Sequence, residues 1–471
     1  MARAARVVGT GILLVVLTGG AYVTADAYDV VPGLVTLAPV PADPLPFPTA
    51  PGALTPTAAT PALGAPDPDA PMPLAGSVQA QVDALVADAR LGATTGVVVA
   101  DRLTGEVLAT HLPDDGRVPA STAKLTTTVA ALAALDPDET LPTRVVAGAS
   151  ASDLVLVGGG DMRRAAGAGD APAVVGHAGL ADLAGQVAKD LALRGTTSVT
   201  LHFDDSLFVG PTTNPGWAAT DLSNGYVAPV TALAVDIAAT KSGVEYPPRS
   251  ADPSLAAARA FADRLTERGI TVTARPTRTT AAPDAQVLGE VQSATLDQIV
   301  QYVLDTSDNT IAEVLSRLVA LDAGLPASFD GGTQAVLREL ATLGVDTTGA
   351  HLADASGLAD GSVLAPRQLV AVLALAMDPS HPTLRDVATG MPIAGLTGTL
   401  ADRYTTSPAR GVARAKTGSL HGVTSLAGTV QTADGRWLLF AVMADATPPG
   451  GQWAPRQAID DFVTYLAGCG C

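Results

Sequence analysis

Pro119-Ala120-Ser121-Thr122-Ala123-Lys124 is the stretch on which the reading of this chain turns. Proline stops the preceding segment, and Ser121 can cap a helix whose body is Ala123–Leu135, marked by Leu125, Val129, Leu132 and Leu135. Spacing of i, i+3 on a helix puts Ser121 and Lys124 on one face, a turn apart. A serine hydroxyl is a poor nucleophile until a neighbouring base takes its proton. A lysine whose pKa is lowered by desolvation or by a second cation can be that base. The helix start also offers a positive dipole where an oxyanion develops. Taken alone, the pattern also fits a plain helix cap beside a solvated lysine.

Lysine is scarce enough here to be informative. Of 28 basic residues only Lys124, Lys189, Lys241 and Lys416 are lysine; the rest are arginine. Arginine stays protonated at ordinary pH, whereas a buried lysine can give up its proton and act as a base. A second polar site, Ser307-Asp308-Asn309, lies between two helical stretches, Leu296–Leu304 and Thr310–Leu321. A hydroxyl and an amide two residues apart can both face a cleft when the connecting turn is tight. A third, Lys416-Thr417-Gly418-Ser419, stands just before the strand Ser425–Gln431. There a lysine and a hydroxyl flank a glycine that lets a ligand approach the backbone, a charged grip for a carboxylate. Ser-x-x-Lys, Ser-Asp-Asn and Lys-Thr-Gly, in this order, form the motif set of class A β-lactamases and penicillin-binding proteins.

Outward from the motifs, both ends of the folded sequence show the same two elements. Val78, Val82, Leu85, Val86 and Ala89 repeat at helical spacing to about Arg90. Thr95–Asp101 and Glu106–His111 then read as a hairpin about Arg102-Leu103-Thr104-Gly105. Near the end, Ser425–Gln431 and Arg436–Ala444 flank an Asp434-Gly435 turn, and an amphipathic helix covers about Ala454–Ala467. The two termini are thus expected to build one antiparallel sheet with helices on a face, an α+β frame into which everything between is inserted.

Composition limits the alternatives. The chain of 471 residues is 47% apolar, enough for a large core, and carries a net charge of −18. An acidic surface argues against a nucleic-acid partner. His111, His177, His202, His351, His381 and His421 show no metal-ligand spacing, and Cys469 and Cys471 form no disulfide framework, so neither metal nor cofactor is expected. A Gly-x-Ser-x-Gly elbow is absent. Arg3 and Arg6 followed by the apolar run Val7–Val23 read as an export signal or an uncleaved N-terminal anchor, with the rest of the chain outside the cytoplasm. From Leu37 to Leu74 proline density predicts an extended, semi-rigid tether.

The motifs and several longer segments resemble the peptidase S13 family, D-alanyl-D-alanine carboxypeptidases similar to penicillin-binding protein 4 (the DacB group), of the actinobacterial type. Ser121 and Ser307 are 186 residues apart, far more than in class A β-lactamases. The resembling segments include Leu156–Asp161, Tyr226–Asp236, Ser307–Glu313, Asp354–Leu358, Met391–Leu400 and Lys416–Val423. The pattern departs at Ala355, often glycine in the family, and at His421.

The resemblance implies a transpeptidase-like domain, the fold of penicillin-binding proteins and serine β-lactamases, with inserted, mostly β domains. The boundaries follow as 1–25 signal or anchor, 26–76 linker, 77–141 and 291–471 the two parts of the transpeptidase-like domain, and 142–290 the insertion. It implies Ser121 as nucleophile, Lys124 as its base, Ser307 relaying a proton to the leaving D-alanine and Asn309 bonding the substrate amide. Lys416 and Thr417 hold the terminal carboxylate, and the backbone N–H groups of Ser121 and Ser419, beside Gly418, form the oxyanion hole. Substrates are peptidoglycan stem peptides, and β-lactams stall the acyl-enzyme. Trp217, Asp221 and Tyr226 resemble a stretch that lines a pocket for the free amino end of the stem. Two rivals share the motifs: a serine β-lactamase, opposed by the long insertion, and a catalytically silent peptidoglycan-binding protein, opposed by the intact Lys124.

Overall fold

The computed structural model describes residues 18–28, 30–31 and 67–470. Residues Met1–Gly64 and Ala65–Cys471 are two separate compact units. In the first, residues 18–27 are helical. Most of the signal or anchor reading falls on residues outside the described ones. No helix among the described residues is long and apolar enough to cross a membrane.

The second unit begins with α1 (Ala75–Val86) and the hairpin β1 (Thr95–Asp101) and β2 (Val107–His111). A 3-10 turn, Ala120–Ala123, feeds α2 (Lys124–Ala134). Next come β3 (Thr140–Ala147), β4 (Asp153–Gly158), α3 (Leu180–Leu193), β5 (Ser198–Asp204), the short α4 (Ala219–Ser223) and α5 (Pro253–Thr266). The short strands β6 (Thr271–Val272) and β7 (Thr277–Arg278) and the longer β8 (Val287–Thr295) follow. A helical run comprises α6 (Leu296–Thr306), α7 (Asn309–Asp322), α8 (Phe329–Thr342), α9 (Pro366–Ala376) and α10 (Arg385–Gly390). The chain closes with β9 (Ala413–Leu420), β10 (Val423–Gln431), β11 (Trp437–Ala444) and α11 (Trp453–Gly468).

The two ends do share one sheet, five-stranded in the order β2-β1-β11-β10-β9 and antiparallel throughout. Its strands are apolar on both faces, and the period of two sorts them into separate cores. Val97 and Val99 pack with Val78, Val82, Ile459 and Phe462 of α1 and α11. Val98 and Ala100 face the opposite layer, with Leu125, Val129, Val303, Leu315 and Leu373 of α2, α6, α7 and α9. The site motifs lie at the seam between this sheet and the helical layer.

The insertion forms a second sheet, β6-β5-β4-β3-β8, with β7 also on β5. It is not mostly β. β4 and β5 run parallel, and a parallel pair needs a crossover, which α3 supplies. α3 and α5 then cover the sheet through Leu183, Val187, Phe261 and Leu265, packed with Leu156 and Leu201. β8 runs straight into α6, whose cap is Thr295, and so returns the chain to the helical layer.

The end of the Pro/Ala-rich segment is docked rather than a free tether. Arg436 donates to the carbonyls of Pro68 and Ala70 and forms a buried ion pair with Asp101, and Ala70 is buried. Cys469 is buried and disulfide-bonded, while Cys471 lies outside the described residues.

Candidate active site

Ser121 does not cap a helix. It sits within the 3-10 turn, α2 starts only at Lys124, and no side chain caps that start. The turn is fixed from outside. Ala120 has a left-handed backbone, φ 48°, which costs an L-residue about 1–2 kcal/mol. The Pro119 carbonyl accepts from the hydroxyls of Thr122 and of Ser425 on β10, both at 2.7 Å. Gly418 is required by this closeness, since a Cβ there would lie 2.7 Å from the same carbonyl and 2.0 Å from Ser425 Oγ. The nucleophile turn, β9 and β10 are thereby locked together.

Lys124 is fully buried, and its Nζ touches three acceptors: Ser121 Oγ at 2.8 Å, Asn309 Oδ1 at 2.6 Å and the Ser356 carbonyl at 2.8 Å. A neutral amine has two hydrogens and one lone pair. Asn309 and Ser356 can take the hydrogens, which leaves the lone pair aimed at the Ser121 hydroxyl. Burial pushes the Lys124 pKa down to about 8, opposed by the charges of Asp354, Asp308 and Glu313. A sizeable neutral fraction near neutrality suits a general base.

Ser307 closes α6 in a left-handed conformation, φ 61°, and Asp308 caps α7 by accepting from the Ile311 N–H at 2.8 Å. That tight turn brings Ser307 and Asn309 to the cleft together. Asn309 Nδ2 donates to the Tyr226 carbonyl at 2.9 Å, which turns its Oδ1 toward Lys124. Lys416, on β9, is fully buried and donates to Ser307 Oγ at 2.8 Å and to the Thr417 carbonyl at 3.1 Å. Its pKa is held well below the usual lysine value by burial and then by the Lys124 charge, against the pull of Asp305. Two hydroxyl–lysine pairs, Ser121–Lys124 and Ser307–Lys416, therefore face one another.

Ser121, Ser307, Asn309, Thr417 and Ser419 open onto a cleft of about 1270 Å³, which Asp221 and Tyr226 also line. Asp221 accepts from the Ala218 N–H at 2.8 Å, and Tyr226 stacks edge-on against Tyr246 with ring centroids 5.2 Å apart. Trp217 does not line the cleft. It is buried, with its indole N–H on Asp354 Oδ2 at 2.8 Å. Among the described residues no group of His, Cys, Asp and Glu is placed to hold a metal ion.

The sequence reading assigned no site role to Glu313 and Asp354. Glu313, fully buried, accepts from the backbone N–H groups of Ala355 at 3.2 Å and Ser356 at 2.8 Å. Asp354 accepts from Ser356 Oγ, Gly357 N and Ala359 N. Together they hold the loop whose Ser356 carbonyl meets Lys124. Glu313 stands four residues after Asn309 on the apolar face of α7, and a carboxylate among Ile311, Val314 and Leu315 is the signal by which the sequence could have shown it. Burial and Asp354 push its pKa up to about 8.

Glu313→Gln leaves one of the two loop N–H groups facing an amide nitrogen, so kcat/KM should fall roughly tenfold. Glu313 raises the Lys124 pKa. Its removal should therefore move the acid limb of the pH profile to lower pH, whereas a fall in rate with an unmoved limb would mean that Glu313 acts on the loop alone.

The D-Ala-D-Ala carboxypeptidase 3 (S13) family model matches residues 78–247 and 237–467. A carboxypeptidase of Mycobacterium tuberculosis is 38% identical over 408 residues, covering 85% of each chain. The carboxypeptidase DacB of Mycolicibacterium smegmatis is 37% identical, covering 82% of this chain and 83% of that one. The crystal structure of penicillin-binding protein 4 from Haemophilus influenzae shares the fold at a TM-score of 0.68 and 23% identity, covering 82% of this chain and 98% of that one. With that family model spanning nearly all of its second unit, the chain belongs to the D-Ala-D-Ala carboxypeptidase 3 (S13) family and is a serine-type carboxypeptidase.

Proposed function

We propose that Ser121 and Lys124 carry the acylation, and that the substrate is the D-alanyl-D-alanine end of a peptidoglycan stem peptide. Ser121 Oγ attacks the carbonyl between the two D-alanines while Lys124 takes its proton. The N–H groups of Ser121 and Ser419 meet the oxyanion. The C–N bond then breaks, and a proton passes through Ser307, itself bonded to Lys416, to the leaving amine of D-alanine. Water cleaves the Ser121 ester and restores the hydroxyl. The observation that supports this reading most is the Lys124 Nζ, buried and 2.8 Å from Ser121 Oγ, with its other two acceptors supplied by Asn309 and Ser356.

Asn309, beyond orienting Lys124, bonds the substrate amide, and Thr417 with Ser419 faces the terminal carboxylate. The two parts 77–141 and 291–471 work as one catalytic body. Action on peptidoglycan places the protein outside the cytoplasm, with the N-terminal segment as signal or anchor. β-Lactams, whose ring presents the same acyl carbon, acylate Ser121 and deacylate slowly. Digestion of purified muropeptides, with products identified by mass, tests the reading. Release of single D-alanine is expected, and cleavage of cross-links alone would make the protein an endopeptidase.

Asp221 and Tyr226 form the side-chain pocket, with the carboxylate pairing a free ammonium on the stem. Asp221→Ala should lower kcat/KM for stem peptides ending in a diaminopimelate-like amine several-fold more than for simple acyl-D-Ala-D-Ala esters. Equal losses on both would assign Asp221 to its Ala218 contact instead.

A further inference from the structure

The charge that meets the substrate's carboxylate is not accounted for by Lys416. Its Nζ is buried and occupied by Ser307 Oγ and the Thr417 carbonyl, and it does not line the cleft. The period of two along β9 turns Lys416 and Gly418 inward and leaves Thr417 and Ser419 on the cleft side. We propose that Arg456 is the carboxylate-recognising residue, working with the hydroxyls of Thr417 and Ser419. This rests on the reading of the site given above and adds a specificity-determining residue to it.

Arg456 lines the cleft from the first turn of α11, and its Nη2 donates to Ser419 Oγ at 3.0 Å. Three features of its setting are unfavourable for a cation. It is half-buried, which penalises the charge, and the neighbouring Arg403 repels it. It also stands at the positive end of a helix. Asp460, the one carboxylate that eases the charge, is already held by Arg403 through two guanidinium nitrogens. Among the described residues Arg456 itself has no carboxylate in hydrogen-bond contact.

An anion in the cleft offsets all three at once, because it pairs with the half-buried guanidinium and is itself drawn by Arg403 and by the helix start. A guanidinium fork beside two hydroxyls on one strand face matches the planar geometry of a carboxylate, and a lone ammonium matches it less well. The division of labour is then clear. Lys416 serves Ser307 and the leaving amine, and Arg456 reads the free acid at the chain end.

The test compares acyl-D-Ala-D-Ala with its C-terminal amide, using the full chain and the variants Arg456→Gln and Arg456→Lys. Gln keeps a donor for Ser419 Oγ without the charge. The wild-type protein should prefer the free acid. In Arg456→Gln the acid-to-amide ratio of kcat/KM should fall roughly ten- to a hundredfold, and Arg456→Lys should recover part of it. A ratio unchanged in Arg456→Gln, whether both rates drop together or neither does, would overturn the assignment and leave Arg456 as a support for Ser419. Failure of the underlying reading is seen separately: a wild-type protein that penicillin does not acylate at Ser121 removes both.

Discussion

Lys124→Arg should be nearly as inactive as Lys124→Ala, each losing roughly 10³- to 10⁴-fold in kcat/KM against acyl-D-Ala-D-Ala. Arginine keeps the positive charge and could still donate to Asn309 Oδ1 and the Ser356 carbonyl. It cannot accept the Ser121 proton, because its guanidinium stays protonated even in a fully buried site. The wild-type lysine can, since burial brings its pKa down to about 8 from the usual 10.5. Activity depends on the neutral amine, so kcat/KM should rise with pH and level off above about 8. Substantial activity in Lys124→Arg would move the base elsewhere, and Lys416, also buried and also depressed, stands next in line. Circular dichroism of both variants guards against reading a folding defect as a chemical one.

The frame of the fold was legible because its signals are local. Short apolar and β-branched runs and the Asp434-Gly435 turn specify the terminal hairpins, and β10 and β11 pair from Gln431–Trp437 to Thr424–Ala444 as that turn dictates. The three motifs were legible as motifs, and the structure brings all of them to one cleft. What could not be read depends on distant contacts. Ser121 looked like a helix cap, yet Ala120 is forced left-handed where its carbonyl passes Gly357, at which a Cβ would lie 1.9 Å from that oxygen. The resemblance implied a mostly β insertion, but strand direction is invisible in a sequence, and it is the parallel β4–β5 pair that demands the α3 crossover.

Side-chain direction explains the remaining gaps. Lys416 read as a charged grip for a carboxylate, and its place in the alternation of β9 sends it inward to Ser307. Trp217 read as a pocket wall, but its indole reaches back to Asp354 beneath the site. Glu313 drew no attention because only the fold shows that the loop it holds carries the third acceptor for Lys124.

The central claim is that Ser121 is the acylated residue. Its hydroxyl lines the cleft and is bonded at 2.8 Å to the buried Lys124 Nζ, whose hydrogens go to Asn309 and Ser356 and whose lone pair is left for Ser121. Ser307 also lines the cleft and is bonded to Lys416, but the two hydrogens of a neutral Lys416 amine are taken by Ser307 Oγ and the Thr417 carbonyl, so no lone pair is aimed at Ser307. Ser121→Ala should therefore abolish turnover, with a loss of about 10⁶-fold on the scale of nucleophile removal in serine hydrolases. The direct measurement is mass spectrometry of the full chain after incubation with a penicillin, followed by digestion. The account predicts one adduct, of the mass of the penicillin, on the peptide containing Ser121 and none in Ser121→Ala; an adduct that survives Ser121→Ala, or one found on Ser307, would contradict it.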